Sequence, residues 1–250
     1  MKPIAVQLYS LRDEAVKDFP GLLKRVAEIG YKGVETAGLH GHDPKEIGKI
    51  VKDLGMEVCS SHAAFPTDEN IEQIVDTEKA VGNTVVIAQT DMKKLTSIDE
   101  CKAEASKYAR AAELLKARGM TFGVHNHWWE FNDLGGICPY DILLGEVPAM
   151  FSELDVYWST YAKLNSPELV SKYKSRIPFL HLKDGMLEEG GAMTALGEGK
   201  VPITEIVQAA DPNTLKWLVV ELDRCDTDVF EAVKKSYAYL TSRGLGAGNK

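Results

Sequence analysis

Thr121-Phe122-Gly123-Val124-His125-Asn126-His127 decides how this chain is read. The first five residues form a strand-like run, and two histidines stand at its carboxyl end. The arrangement recurs along the sequence. His40 and His42 follow the run ending in Gly33-Val34-Glu35, His62 follows Met56-Glu57-Val58-Cys59, and His181 closes Ile177-Pro178-Phe179-Leu180. All six histidines thus come just after apolar runs, and Glu35, Glu130, Asp155, Asp184, Glu221 and Asp223 hold the same kind of position. If the strands are parallel, these groups gather at one end of one sheet. Imidazoles and carboxylates brought together suit a divalent metal ion, and they also suit general acid–base chemistry.

Working outward, strand-like runs fall at Ile4–Leu8, Gly33–Thr36, Glu57–Ser60, Thr84–Ala88, Thr121–His125, Met150–Leu154, Phe179–Leu182 and Trp217–Leu222. Helical spacing fills the intervals. Leu22, Leu23, Val26 and Ile29 make one stripe over Gly21–Ile29. Asp43-Pro44 supplies an N-cap and a first-turn proline, and Gly55 a stop. Further helices are expected at Ile98–Arg118, from Ser166-Pro167, and at Asp228–Arg243. Eight strands alternating with helices predict one α/β domain, a single (β/α)8 barrel over residues 1–243, with 244–250 a frayed tail. A doubly wound open sheet is the alternative, but Tyr9-Ser10-Leu11-Arg12 after the first strand is no glycine-rich phosphate turn. In barrels of this type the active site lies at the carboxyl ends of the strands, where the histidines fall.

Composition narrows the partners. A net charge of −8 disfavours nucleic acid, which calls for a basic face. No apolar stretch reaches the roughly 18–20 residues of a membrane span. Cys59, Cys101, Cys138 and Cys225 are far apart and form no CxxC pair, so reduced thiols are expected. With a strand beginning at Ile4 and no leader visible, the expected setting is cytoplasmic, with a small-molecule partner and homo-oligomerisation possible.

Gly123-Val124-His125-Asn126-His127-Trp128-Trp129-Glu130-Phe131, Glu153-Leu154-Asp155-Val156-Tyr157-Trp158 and Phe179-Leu180-His181-Leu182-Lys183-Asp184 carry a recognisable pattern. With Gly33-Val34-Glu35, Ser61-His62, Leu196-Gly197-Glu198-Gly199 and Val219 to Arg224, the whole chain resembles the xylose-isomerase-like TIM barrels, in particular the sugar phosphate isomerase/epimerase group. That resemblance implies one divalent metal, Mn, Co, Zn or Mg, held by Asp155, His181 and Glu221. The family's fourth ligand, a glutamate after strand five, reads here as His125, with Glu130 five residues on as a possible substitute. Inosose-dehydratase-like members share histidines in this segment.

The implied reaction is isomerisation or epimerisation of a small sugar or sugar phosphate, by proton transfer beside a carbonyl through an enediolate. Glu221, His125 and Glu130 are the candidate catalytic groups. Glu35, His62, His127, Trp158 and Lys183 are candidates for binding substrate, and Trp128 and Trp129 for stacking on a sugar ring. An imidazole titrating near neutrality also suits elimination of water, so a dehydratase or hydratase of a keto sugar or keto-inositol is the alternative. A non-catalytic sugar-binding barrel is the third reading. His40 and His42 are expected in a solvated loop, Trp217 in bottom packing, and Gly197-Glu198-Gly199 in a mobile loop over the site.

Overall fold

Eight parallel strands close on themselves in the computed structural model, which describes residues 1–250. They are β1 (Lys2–Gln7), β2 (Gly33–Thr36), β3 (Glu57–His62), β4 (Val85–Gln89), β5 (Thr121–His125), β6 (Phe151–Asp155), β7 (Phe179–Leu182) and β8 (Trp217–Val220). Each pairs with the next, and β1 closes the ring against β8 with Ile4, Ala5 and Val6 opposite Leu218, Val219 and Val220. That closure excludes the open doubly wound sheet. No helix is long and apolar enough to cross a membrane, and all four cysteines are free.

The helices begin where the sequence supplies a cap. The Asp43 side chain accepts from the backbone of Lys45 and Glu46 ahead of helix Pro44–Asp53. Asp18 caps Phe19–Ile29, Ser97 caps Ile98–Lys116 and Asp228 caps Val229–Ser242. The apolar faces of the helices join the outward face of the barrel in one continuous core.

The strand period of two sorts the inner face into layers. Reading up β6, β7 and β8, the inward residues are Phe151-Glu153-Asp155, Phe179-His181-Lys183 and Trp217-Val219-Glu221-Asp223. The bottom of the barrel is therefore apolar: Ala5, Cys59, Phe179 and Val219 pack with Phe151 and Trp217, as expected for Trp217. Gly123 makes room for this plug, since a Cβ there would come within 2.3 Å of the Phe151 ring. Above it the same strands turn ionic. The tail corrects the expectation of fraying. Gly246 and Ala247 pair with Lys2 and Pro3, and the Asn249 side chain donates to the Gly55 carbonyl at 2.9 Å. This pairing satisfies the edge of β1 below its contact with β2, so the tail is part of the barrel floor.

Candidate functional site

Two tiers of ionisable side chains stand on the barrel axis above the apolar plug. In the lower tier, Glu153 Oε2 lies 2.7 Å from His62 Nε2, 3.2 Å from His125 Nδ1 and 3.2 Å from His181 Nε2. Glu35 joins it at 2.6 Å from His181 Nε2 and accepts from Gln7 and Ser60. An ionised carboxylate can only accept, so these three histidines direct their N–H groups at the lower carboxylates. His62 Nδ1 lies 3.1 Å from the Gln89 side-chain amide nitrogen.

The upper tier uses the other faces of the same rings. His125 Nε2 is 3.5 Å from Asp155 Oδ2, and His181 Nδ1 is 2.9 Å from Glu221 Oε2. The Lys183 ammonium lies 3.0 Å from Asp155, 2.7 Å from Glu221 and 2.8 Å from both oxygens of Asp223. Local structure explains how Asp155 divides its work. Its Oδ1 caps the short helix Val156–Tyr161 through Tyr157 N and Trp158 N, while Oδ2 has no hydrogen-bond partner. Asn126 locks the neighbouring strand ends by accepting from Asp155 N and donating to Asp155 O.

The electrostatics follow from burial and these contacts. Burial opposes charge on His181, but Glu153, Glu35 and Glu221 together raise its pKa well above the usual imidazole range. His62 is raised for the same reason, its burial outweighed by Glu35 and Glu153. His125 goes the other way, driven well down by burial and by the charges of His181 and Lys183. His127 is pushed down to about 3 by burial and Lys183, and stays neutral. Burial raises Asp155 to about 6 against the pull of Lys183. Glu221 is held well below the ordinary carboxylate range: Lys183 and His181 overcome its burial.

Above both tiers opens a cavity of about 520 Å³. Its floor is His125, Lys183, Glu221 and Asp223, and its walls are His62, Gln89, His127, Tyr9 and three tryptophans, Trp128, Trp129 and Trp158. Trp128 and Trp158 lie with ring centres 4.8 Å apart, and His127 stacks on Trp129 at 4.0 Å. Five buried side-chain polar atoms lack a hydrogen-bond partner, and four of them, on His127, Glu153, Asp155 and Trp158, belong to these tiers and walls. Orphaned polar atoms are costly in a fold, so their concentration here marks a place built for a ligand.

Of the residues singled out in the sequence, His125, Asp155, His181, Glu221 and Lys183 meet on the axis, and His62, His127 and Trp158 reach the cavity. Glu35 does not line it: the side chain is fully buried beneath His181. Glu130 turns away as well. It folds back in the turn Trp129–Phe131 to accept from His127 N at 2.8 Å and from the Thr90 hydroxyl, bracing the loop. Asp184 staples the following loop, accepting from the backbone of Gly185, Gly197, Gly199 and Val201. The Gly197-Glu198-Gly199 segment is thus pinned, not free over the site, and a Cβ on Gly199 would fall 2.2 Å from Asp184. His40 and His42 pack on Phe19, away from the axis. Sequence reading missed Glu153, although it stands two residues before Asp155 on the same face of β6.

Fold and site together define a closed (β/α)8 barrel whose carboxyl end holds a histidine–carboxylate cluster under an aromatic cavity. The chain belongs to the xylose isomerase-like TIM barrel family, which it matches over residues 23–243. Among curated proteins no match was found. A sugar phosphate isomerase/epimerase from Parabacteroides distasonis superposes with a TM-score of 0.84 at 25% identity, over 99% of this chain and 100% of its own. The probable 3-DHS dehydratase involved in petrobactin synthesis from Bacillus anthracis gives 0.79 at 17% identity, over 96% and 99%. An L-ribulose 3-epimerase gives 0.74 at 16% identity, over 98% and 95%. The last two are likenesses of fold.

Proposed function

We propose that this chain is an isomerase or epimerase of a small sugar, dependent on one divalent metal ion and working by proton transfer beside a carbonyl through an enediolate. The convergence of His125, Asp155, His181 and Glu221 carries this reading, their donor atoms lying within 4.8 Å of one another. The donor set fits a cation: two imidazoles and two carboxylates, all buried, with Asp155 Oδ2 left without a hydrogen bond. Such mixed nitrogen and oxygen ligands suit Mn, Co, Zn or Mg. When bound, the ion supplies stabilisation for negative charge developing on neighbouring sugar oxygens.

The side chains do the rest. Glu221 is ionised and lines the cavity, so it is placed to take up a proton on one face of a bound sugar. His127 lines the same cavity with a neutral ring and an unpartnered Nδ1, the candidate for proton exchange on the other face. Lys183 shares Asp155 and Glu221 with the ion and screens their mutual repulsion. Trp128 and Trp158 offer ring faces for stacking and exclude water.

The test is elemental analysis of the purified protein beside His125→Ala and Asp155→Ala, with NMR of sugar carbon–hydrogen exchange in heavy water. About one ion per chain, lost in Asp155→Ala, with exchange next to a carbonyl, is the expected result. No metal uptake after supplementation would sink the proposal and favour a binding barrel. A metal-dependent dehydratase is the second reading, supported by His125 standing at the strand-five position of the family's glutamate and by the unpartnered imidazole of His127. Ultraviolet absorbance of an unsaturated ketone product would select it.

A further inference from the structure

TIM barrels that bind phosphate commonly do so in the loops after strands seven and eight, on a cradle of backbone N–H groups. This chain has such a cradle after β7, and it is already filled from within. Asp184 Oδ1 accepts from Gly185 N at 2.8 Å and Val201 N at 3.0 Å, and Oδ2 from Gly197 N at 2.8 Å and Gly199 N at 3.1 Å. The carboxylate takes the four N–H groups that such a cradle would otherwise offer an anion, and it is fully buried.

The cavity provides no second anion site. Lys183 is its one lysine or arginine, and an ammonium has three N–H donors. The Lys183 ammonium donates to both oxygens of Asp223 and lies 3.0 Å from Asp155 and 2.7 Å from Glu221, so three carboxylates already surround its one charge. Arg12, at the rim beside Tyr9, spends its guanidinium on the carbonyls of Tyr9 and Asp223 and lies over the Tyr9 ring. A substrate carrying phosphate or carboxylate would therefore bring its charge toward Glu221 and Asp223 with no uncommitted lysine or arginine to receive it. A sugar hydroxyl meets no such penalty, and the indole walls favour an uncharged ring.

We infer that the substrate of this site is an uncharged sugar, and that Asp184 occupies the place where a phosphate-binding relative would hold its ligand. This rests on the sugar-isomerase reading above, which a separate readout tests. The experiment titrates the metal-supplemented wild type with D-fructose and D-allulose and with their 6-phosphates, following tryptophan fluorescence from the cavity walls. Binding of a free ketohexose at least about tenfold tighter than its 6-phosphate is expected, a difference of about 1.4 kcal/mol. Equal or tighter binding of a phosphate ester overturns the inference, and so does binding of neither series.

Asp184→Ala tests the cradle itself. With the internal carboxylate gone, millimolar inorganic phosphate should raise the Tm of the variant and leave the wild type unmoved. Stabilisation of the wild type by phosphate overturns the inference, and should the variant fail to fold, the titration still decides. Exchange in heavy water separates the two proposals. A free sugar that binds without exchanging its carbon-bound hydrogen leaves the substrate class standing and removes the isomerase chemistry.

Discussion

The lower tier of Glu35, His62, Glu153 and His181 and the upper tier of His125, Asp155, Lys183, Glu221 and Asp223 are neighbours on one axis, yet they are built for different purposes. Below, nearly every donor meets an acceptor inside the protein: three imidazole nitrogens surround Glu153 Oε2, and Glu35 is held by Gln7, Ser60 and His181. Above, carboxylates outnumber the cations beside them, Asp155 Oδ2 lacks a hydrogen bond, and the tier opens on the cavity. His125 and His181 belong to both, each with one nitrogen down and one up. A ligating histidine is oriented by what its other nitrogen bonds. The closed tier is thus the device that aims the open one.

The largest expected effect breaks the upper tier alone. Glu221→Gln keeps an oxygen for Lys183 but loses the charge that would accept a proton. Exchange or turnover should fall roughly 10²–10⁴-fold. Unchanged exchange by NMR would remove Glu221 from the chemistry.

Next in size is the lower tier. In Glu153→Gln, the amide oxygen can keep the place of Oε2, but the charge shared by three imidazoles is lost and a buried NH2 stands at Oε1, where no partner waits. Breaking buried pairs of this kind costs about 3–5 kcal/mol, to be read from urea unfolding, and metal affinity should drop roughly 10–100-fold though Glu153 belongs to the tier beneath the proposed ion. Wild-type stability and metal affinity in this variant would mean the two tiers are independent.

A third prediction sharpens the contrast with the rim. Burial raises Glu130 to about 7 from an ordinary 4.5. The folded chain therefore holds this proton more tightly than the unfolded chain. The resulting stability is complete below about pH 4.5 and is lost as pH rises through 7, on the order of 3 kcal/mol in all. Glu130→Gln should flatten the fall in unfolding free energy between pH 5 and 8, and an unaltered slope would place the proton elsewhere.

How far the sequence could be read follows the same division. The barrel was legible because strand runs and caps are local: Gly33–Thr36, Thr121–His125 and Phe179–Leu182 coincide with observed strands. Strand-end position brought out His125, His181, Lys183 and Glu221, since the upper tier is where strands stop. Glu153 was hidden because a charged residue inside a strand reads as outward-facing unless its period is counted from Asp155. Glu35 and Glu130 were overvalued as cavity residues for a related reason. Each carboxylate is turned to partners supplied from elsewhere in the fold, such as Ser60 and Thr90, which local sequence does not reveal.

The smallest effect belongs to the far end of the axis. Asn249 donates its side-chain amide to the carbonyls of Gly55 and Tyr31, joining the tail to the loops beneath β2 and β3. Asn249→Ala leaves the backbone bond from Asn249 N to Gly30 O in place and removes only exposed or half-buried partners. A loss of about 1 kcal/mol is expected, with metal binding and exchange unchanged. The apolar plug of Phe151, Phe179 and Trp217 lies between this floor and the lower tier, and close-packed side chains pass on little of a change they do not have to accommodate. A fall in metal affinity in this variant would show that the floor, and not Glu153 alone, sets the aim of the histidines.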